Sequence, residues 1–174
     1  MELENFLFEI ASLKNVPRSG WFKVGIENPE SVAEHSFLSA IIALFLGLRE
    51  LRNTDEACKC SVSALLHDIP ESRTLDLHHL ARKYVHVDEE KVLEEQLDFD
   101  DGKDLKDLIS KYSDIVGDAD RIELFIQSRV YGLKIEDAKI YGDNVEMKTE
   151  AGKELLEKLK NTDPRWWMEF EVHR

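Results

Sequence analysis

The stretch from Phe37 to Leu48, FLSAIIALFLGL, carries no charged residue and no proline. Wound at 3.6 residues per turn, it is apolar on nearly every side. A helix of that kind has no polar face to turn to water, so it belongs in the middle of a bundle. Its start is written in Ser31-Val32-Ala33-Glu34. Ser31 is placed to cap the helix and Glu34 to reach back to it, the reciprocal pattern of a capping box. The helix is expected to continue to Leu51. The uncharged stretch is short of the roughly 20 residues that a bilayer span needs, so no membrane crossing is expected.

The rest of the chain supplies helices to surround it. Leu3, Phe6, Leu7, Ile10, Ala11 and Leu13 recur at helical spacing and predict a first helix over about residues 2–14. Val16-Pro17 stops it. Residues 17–30 then form a loop, long enough for a compact domain to mark it as functional. Asn53 or Thr54 caps a third helix through Ala57, Val62, Leu65 and Leu66, which Pro70 ends near residues 67–69. Two shorter helices are expected over 75–98, a turn at Asp100-Asp101-Gly102, and a short helix through Leu105, Leu108 and Ile109. A well-patterned helix runs from Asp114 to Tyr131, with Gly132 as its C′ residue. A last helix covers about 148–160, and the WWMEF tail after Pro164 is expected to dock on the body or on a second subunit. With 4 Pro and 8 Gly in 174 residues and few alternating apolar–polar runs, the expected class is all-α, one single-domain helical bundle over residues 1–174.

A net charge of −13 argues against coating a nucleic-acid polymer, whose phosphates would repel the surface. A small phosphate ligand remains compatible, because one metal ion and a local cation dominate the field inside a pocket. Cys58 and Cys60 lie two apart and so point to different faces of a helix, a spacing that serves neither a metal pair nor a disulfide framework. The start, MELENFLFEI, lacks the basic residues and long apolar run of a signal peptide. A cytoplasmic location is the expectation.

Three separate places carry residues suited to a metal. In Leu65-Leu66-His67-Asp68-Ile69-Pro70-Glu71, an adjacent His and Asp sit at a helix end, where both can reach one ion. Their nitrogen and oxygen donors suit Zn, Mn, Co or Fe. Alone, the pair reads more readily as a core His beside a surface Asp, since His-Asp dipeptides are common. His35 lies in the first turn of the apolar helix. That helix and the one ending at His67 are consecutive and joined by a short connection, so they should pack antiparallel and bring His35 beside His67. The third place is Gly117-Asp118-Ala119-Asp120-Arg121-Ile122. A carboxylate near a core face needs a cation or a hydrogen-bond partner. A metal would serve Asp120, as would an ion pair with Arg121 or Arg129. Asp118, on a different face, is the alternative ligand.

In order and spacing, His35, His67-Asp68 and Asp120 resemble the H…HD…D signature of the HD-domain metal-dependent phosphohydrolases, a helical superfamily. Arg18-Ser19-Gly20-Trp21, Asn28 to Ser36 and His67 to Glu71 are similar to stretches of its 5′-deoxynucleotidase branch, which includes the bacterial YfbR type and the human HD domain-containing protein 2 type. The resemblance covers residues 5 to about 135. It implies one divalent metal ion (Co, Mn, Zn, Mg or Fe) held by His35, His67, Asp68 and Asp120. It further implies Glu71 as the acidic residue that assists proton transfer, Arg18 as the phosphate holder, Asp76 as the sugar contact that selects deoxyribose, and Trp21 in the same pocket-forming loop. Two residues separate Arg18 from Trp21, as in the human-type proteins, where the YfbR type has them adjacent. The implied activity is hydrolysis of deoxyribonucleoside 5′-monophosphates, and the implied assembly a homodimer. His78, His79, His86 and His173 are expected at the surface. Two rivals stand beside this reading: another HD-type phosphohydrolase, acting on a cyclic nucleotide or a triphosphate, and a non-catalytic helical scaffold with a structural metal or none. Arg18 together with Glu71 favours catalysis, since a structural site needs neither.

Overall fold

The computed structural model describes residues 1–169. Among them there are nine α-helices and no strand, with one isolated bridge joining Pro17 to Ser31. In chain order the helices are α1 (Leu3–Ile10), α2 (Val32–Leu51), α3 (Thr54–Leu66), α4 (Glu71–Thr74), α5 (Glu89–Gln96), α6 (Lys103–Lys111), α7 (Ser113–Tyr131), α8 (Ile140–Asp143) and α9 (Glu150–Lys160). The all-α expectation holds. Phe170 and His173, part of the expected tail and surface sets, lie outside the described residues.

The capping box forms as read: the Ser31 side chain accepts from the Glu34 amide, and the Glu34 carboxylate accepts from the Ser31 amide. Asn53, not Thr54, caps α3 by accepting from the Glu56 amide. Between the two helices Arg52 takes a left-handed conformation at φ 51° and reverses the chain. The α2–α3 hairpin is tight because Gly47 presents no side chain. A Cβ there would stand 2.9 Å from the Ala57 Cα and 3.3 Å from the Cys60 Sγ. Cys60 is buried and Cys58 exposed, as their spacing required.

The largest core joins α2 (Ile42, Ala43, Leu46), α3 (Cys60, Ala64), α7 (Ile115, Val116, Ala119, Ile122) and Ala151 of α9. A second ties Phe6 and Leu13 to Val32, Ile69 and Leu97, and so packs α1 and α5 against the start of α2 and the chain just after α3. A third holds Trp21, Ile26 and Ala138 beside α7. Burial on these faces, each large side chain contributing about 1.5–3 kcal/mol, fixes how the three helix ends meet.

Several expectations need correction. α2 is 20 residues long, and by length and composition alone it is apolar enough to cross a bilayer, with a mean hydropathy of 1.5; half of that window is buried within the chain. It is covered on one side only: Phe37 is 64%, Ile41 40% and Phe45 53% exposed. Pro70 ends α3 and also opens α4, since its φ of −57° suits the first turn of a helix. The first helix divides into α1 and a 3₁₀ turn over Ala11–Asn15, the long loop holds a 3₁₀ turn over Ser19–Val24, and the earlier of the two helices expected over 75–98 is only a 3₁₀ turn over Ala81–Lys83. Gly132 has φ −60° and is no left-handed cap. It is small because Lys139 crosses it, 2.6 Å from where a Cβ would sit. In the tail, Trp166 and Trp167 are 55% and 60% exposed.

Candidate active site

The antiparallel hairpin sets the N-terminus of α2 beside the C-terminus of α3, and the rings of His35 and His67 lie 5.7 Å apart. His35 is fully buried and His67 partly so. One donor atom each from His35, His67 and Asp68 falls within 4.8 Å of the other two. Asp120 of α7 stands beside that trio, its Oδ1 3.1 Å from His35 Nε2, while Asp68 Oδ2 is 3.5 Å from that nitrogen and 3.2 Å from His67 Nε2.

The other nitrogen of each ring is already engaged. His67 Nδ1 lies 2.6 Å from the Ala64 carbonyl oxygen, and a carbonyl can only accept. His35 Nδ1 lies 2.7 Å from Glu123 Oε2. Both rings therefore donate through Nδ1 and keep Nε2 for the shared point, the usual arrangement behind a metal-binding imidazole. Once His35 gives up its Nε2 proton, the two Nε2 atoms and a carboxylate oxygen of Asp68, with Asp120 alongside, form a donor set that fits a divalent ion.

Asp118 is not part of it. Buried at 0% exposure, it accepts from the Lys148 amide (2.9 Å), the Thr149 amide (2.8 Å) and hydroxyl (2.7 Å), and Arg121 (2.5 Å). Those bonds hold its pKa down against burial and fasten the N-terminus of α9 to α7. Sequence spacing left Asp118 and Asp120 open as alternatives; in the structure Asp118 is engaged at the start of α9 and Asp120 lies beside His35.

Arg18 enters from the long loop. The loop is closed by the bridge to Ser31 and by the Arg18 amide donating to the Glu30 carbonyl at 2.9 Å. The guanidinium lies 3.5 Å from Asp68, 3.7 Å from Asp120 and 3.9 Å from Asp76. Burial alone would lower its pKa, yet Asp68, Asp120 and Asp76 hold it above the usual guanidinium range. Asp76 accepts from the Ser19 amide through Oδ2, and the Ser19 hydroxyl donates to the Asp76 carbonyl at 2.8 Å. The turn delivering Asp76 passes through Leu75 at φ 64°, a costly conformation for a residue with a Cβ. Arg18, Asp68, Asp76, Asp120 and His67 line one cavity of about 750 Å³, with Trp21, His78, His79, Leu124 and Tyr141 in its walls.

Trp21 contributes wall and anchorage. It is 2% exposed, packed edge-on against Tyr131 and Tyr141, and donates to Glu30 at 3.0 Å. Glu71 is buried at 4% exposure and opens on an adjoining cavity of about 180 Å³ that shares Leu77 and Arg82 with the larger one. Its Oε1 lies 3.5 Å from Arg82, and its Oε2 has no partner. Burial first, then the charges of Asp68 and Asp76, push its carboxyl up to about 8 against the pull of Arg18 and Arg82. At His35 burial opposes a proton, but hydrogen bonds to Asp120 and Glu123 outweigh it and raise the imidazole to about 10. The negative charge packed here asks for a cation.

A model of the HD domain family matches residues 10–163. The chain belongs to the HD domain family. That match runs beyond residue 135, where the motif resemblance ended, and takes in α8 and α9. The 5′-deoxynucleotidase HDDC2 of Dictyostelium discoideum is 32% identical over 149 residues, 74% of this chain and 78% of that protein. The bovine 5′-deoxynucleotidase HDDC2 is 32% identical over 142 residues, 74% of this chain and 67% of the other. Among solved structures, a genomics crystal structure aligns with TM-score 0.87 and 45% identity, covering 95% of this chain and 98% of its own. A coding region from Archaeoglobus fulgidus aligns with TM-score 0.70 and 36% identity over the same shares. The motif resemblance to the 5′-deoxynucleotidase branch is borne out.

Motif reading missed Glu123 and Glu30. The available signal was a charged residue inside the apolar run Ile122-Glu123-Leu124-Phe125, one helical turn after Asp120. The contrast between the two aspartates in this HD domain is testable. Asp118→Asn should lower stability by about 1–3 kcal/mol in denaturant melts and leave metal affinity within about twofold. Asp120→Asn should weaken metal binding by more than the roughly 10–100-fold that loss of an outer partner costs. The reverse pattern would make Asp118 the ligand.

Proposed function

We propose that this HD domain is a divalent-metal 5′-deoxynucleotidase, hydrolysing deoxyribonucleoside 5′-monophosphates to deoxynucleoside and phosphate. One observation carries the reading: donor atoms of His35, His67 and Asp68 lie within 4.8 Å of one another, Asp120 stands 3.1 Å from His35, and Arg18 reaches into the same cavity. The names of the relatives support the substrate class.

A divalent ion held by His35, His67, Asp68 and Asp120 would polarise the phosphoryl group and lower the pKa of water. Arg18, surrounded by the carboxylates of Asp68, Asp76 and Asp120, would turn to the phosphate oxygens and neutralise them through paired hydrogen bonds. Glu71, protonated at neutral pH by its burial, would hold the proton that the leaving 5′-oxygen needs. Asp76, whose Oδ2 is taken by Ser19, would offer Oδ1 to the 3′-hydroxyl and crowd a 2′-hydroxyl. Polar sites of this kind discriminate between sugars strongly. A cyclic nucleotide or triphosphate remains the competing substrate within the family. A scaffold role would leave the unpartnered Oε2 of buried Glu71 and the Arg18 clamp without use.

The deciding assay is phosphate release from the four deoxynucleoside 5′-monophosphates and their ribose counterparts, after chelation and after adding back Co, Mn, Mg or Zn singly. Metal-restored release with a preference for the deoxy series is expected. No release with any metal would overturn the nucleotidase reading. The pH profile tests Glu71. A group that must stay protonated loses function as pH rises through its pKa, so kcat should fall above about pH 8. Glu71→Gln should lower kcat by about 100-fold or more and remove that limb. Full activity in the variant would exclude a proton-transfer role.

A further inference from the structure

Behind the metal-facing side of His35 lies a second layer that no motif residue explains. Glu123 is 1% exposed. Its Oε2 takes the Nδ1–H of His35 at 2.7 Å, and its Oε1 has no partner. Glu30 stands beside it, with donor atoms of Glu30, His35 and Glu123 all within 4.8 Å of one another. That trio is a poor metal site, because His35 Nδ1 cannot both donate to Glu123 and ligate an ion. It is a good brace. Glu30 accepts from the Trp21 indole at 3.0 Å through its side chain and from the Arg18 amide at 2.9 Å through its carbonyl, and its own amide donates to the Tyr131 hydroxyl at 2.8 Å. The loop that carries Arg18 and the helix that carries Asp120 are thereby joined behind one imidazole.

The two histidines differ in this respect. His67 donates to a neutral carbonyl, His35 to a carboxylate. A carboxylate partner fixes the ring with Nε2 outward and makes that nitrogen a stronger donor. We infer that Glu123, with Glu30 of the Arg18 loop beside it, is a positioning residue that fixes His35 as a metal donor and sets the affinity of the site for its ion. The inference rests on the metal reading above and adds Glu123 to it.

The experiment titrates Mn²⁺ into chelator-treated full-length protein by calorimetry, for the wild type, Glu123→Leu and Glu123→Gln, with far-ultraviolet dichroism confirming the fold of each. Leucine removes the acceptor. It should leave the metal-free protein folded and weaken Mn²⁺ binding about 10–100-fold. Glutamine keeps an amide oxygen that can accept the Nδ1–H, and should recover most of that loss. A merely structural role would lower stability and leave the affinity of the folded molecules unchanged. Equal affinity in all three proteins would overturn the inference while leaving the metal reading intact. A wild type that binds no Mn²⁺ would remove the metal reading, and the inference with it.

Discussion

Six carboxyl groups crowd around one buried imidazole and one guanidinium. Asp68 and Asp120 approach His35 Nε2, Glu123 takes its Nδ1–H, and Asp76, Glu71 and Glu30 stand within the next layer. Like charges at such spacing in a low-dielectric interior repel strongly and survive only with counter-charge. The protein itself supplies Arg18 and a proton on His35, and it raises the carboxyls of Glu71 and Glu30 to about 8 so that they too hold protons. A divalent ion at Nε2 relieves the same crowding, which is why the donor set and the electrostatics point to one ligand.

Such a site has to be held together by something other than itself. The α2–α3 hairpin does this through the contact of Gly47 with Ala57 and Cys60, and α7 closes it with Ile115, Val116, Ala119 and Ile122. With no side chain at residue 47 the two helices pack closely near their connection, and their far ends, the start of α2 and the end of α3, present His35 and His67. Asp118 and Asp120 divide the labour on α7. One locks α9 in place, and the other, half a turn away on a different face, serves the site. The Arg18 loop adds a separate attachment through Trp21, wedged between Tyr131 and Tyr141.

Much of this was legible in the sequence where a local rule applied. The capping box at Ser31, the reversal near Asn53 and the apolar periodicity of α7 follow from short-range chemistry, and adjacency of consecutive helices was enough to place His35 beside His67. Local rules run out where long-range packing decides. Nothing local distinguishes Asp118 from Asp120, since the difference is made by Lys148 and Thr149 some thirty residues later. Glu71 was expected after a helix stop, yet Pro70 starts a new turn and buries it. Trp21, expected in the pocket-forming loop, does line the cavity; what no local rule gave was its anchorage, the indole N–H donated to Glu30. Glu123 looked like one more acidic residue in a strongly acidic chain. α2 was expected to be covered all round, but Phe37, Ile41 and Phe45 face outward.

X-ray absorption at the metal edge of Co²⁺- or Mn²⁺-loaded protein is the most direct test of the convergence on which everything above depends. The expected spectrum contains scattering from two imidazole rings and a shell of oxygens at about 2.0–2.2 Å, with one imidazole lost in His35→Ala and one in His67→Ala. A bound ion with an all-oxygen shell, or one whose imidazole signal survives both substitutions, would contradict it.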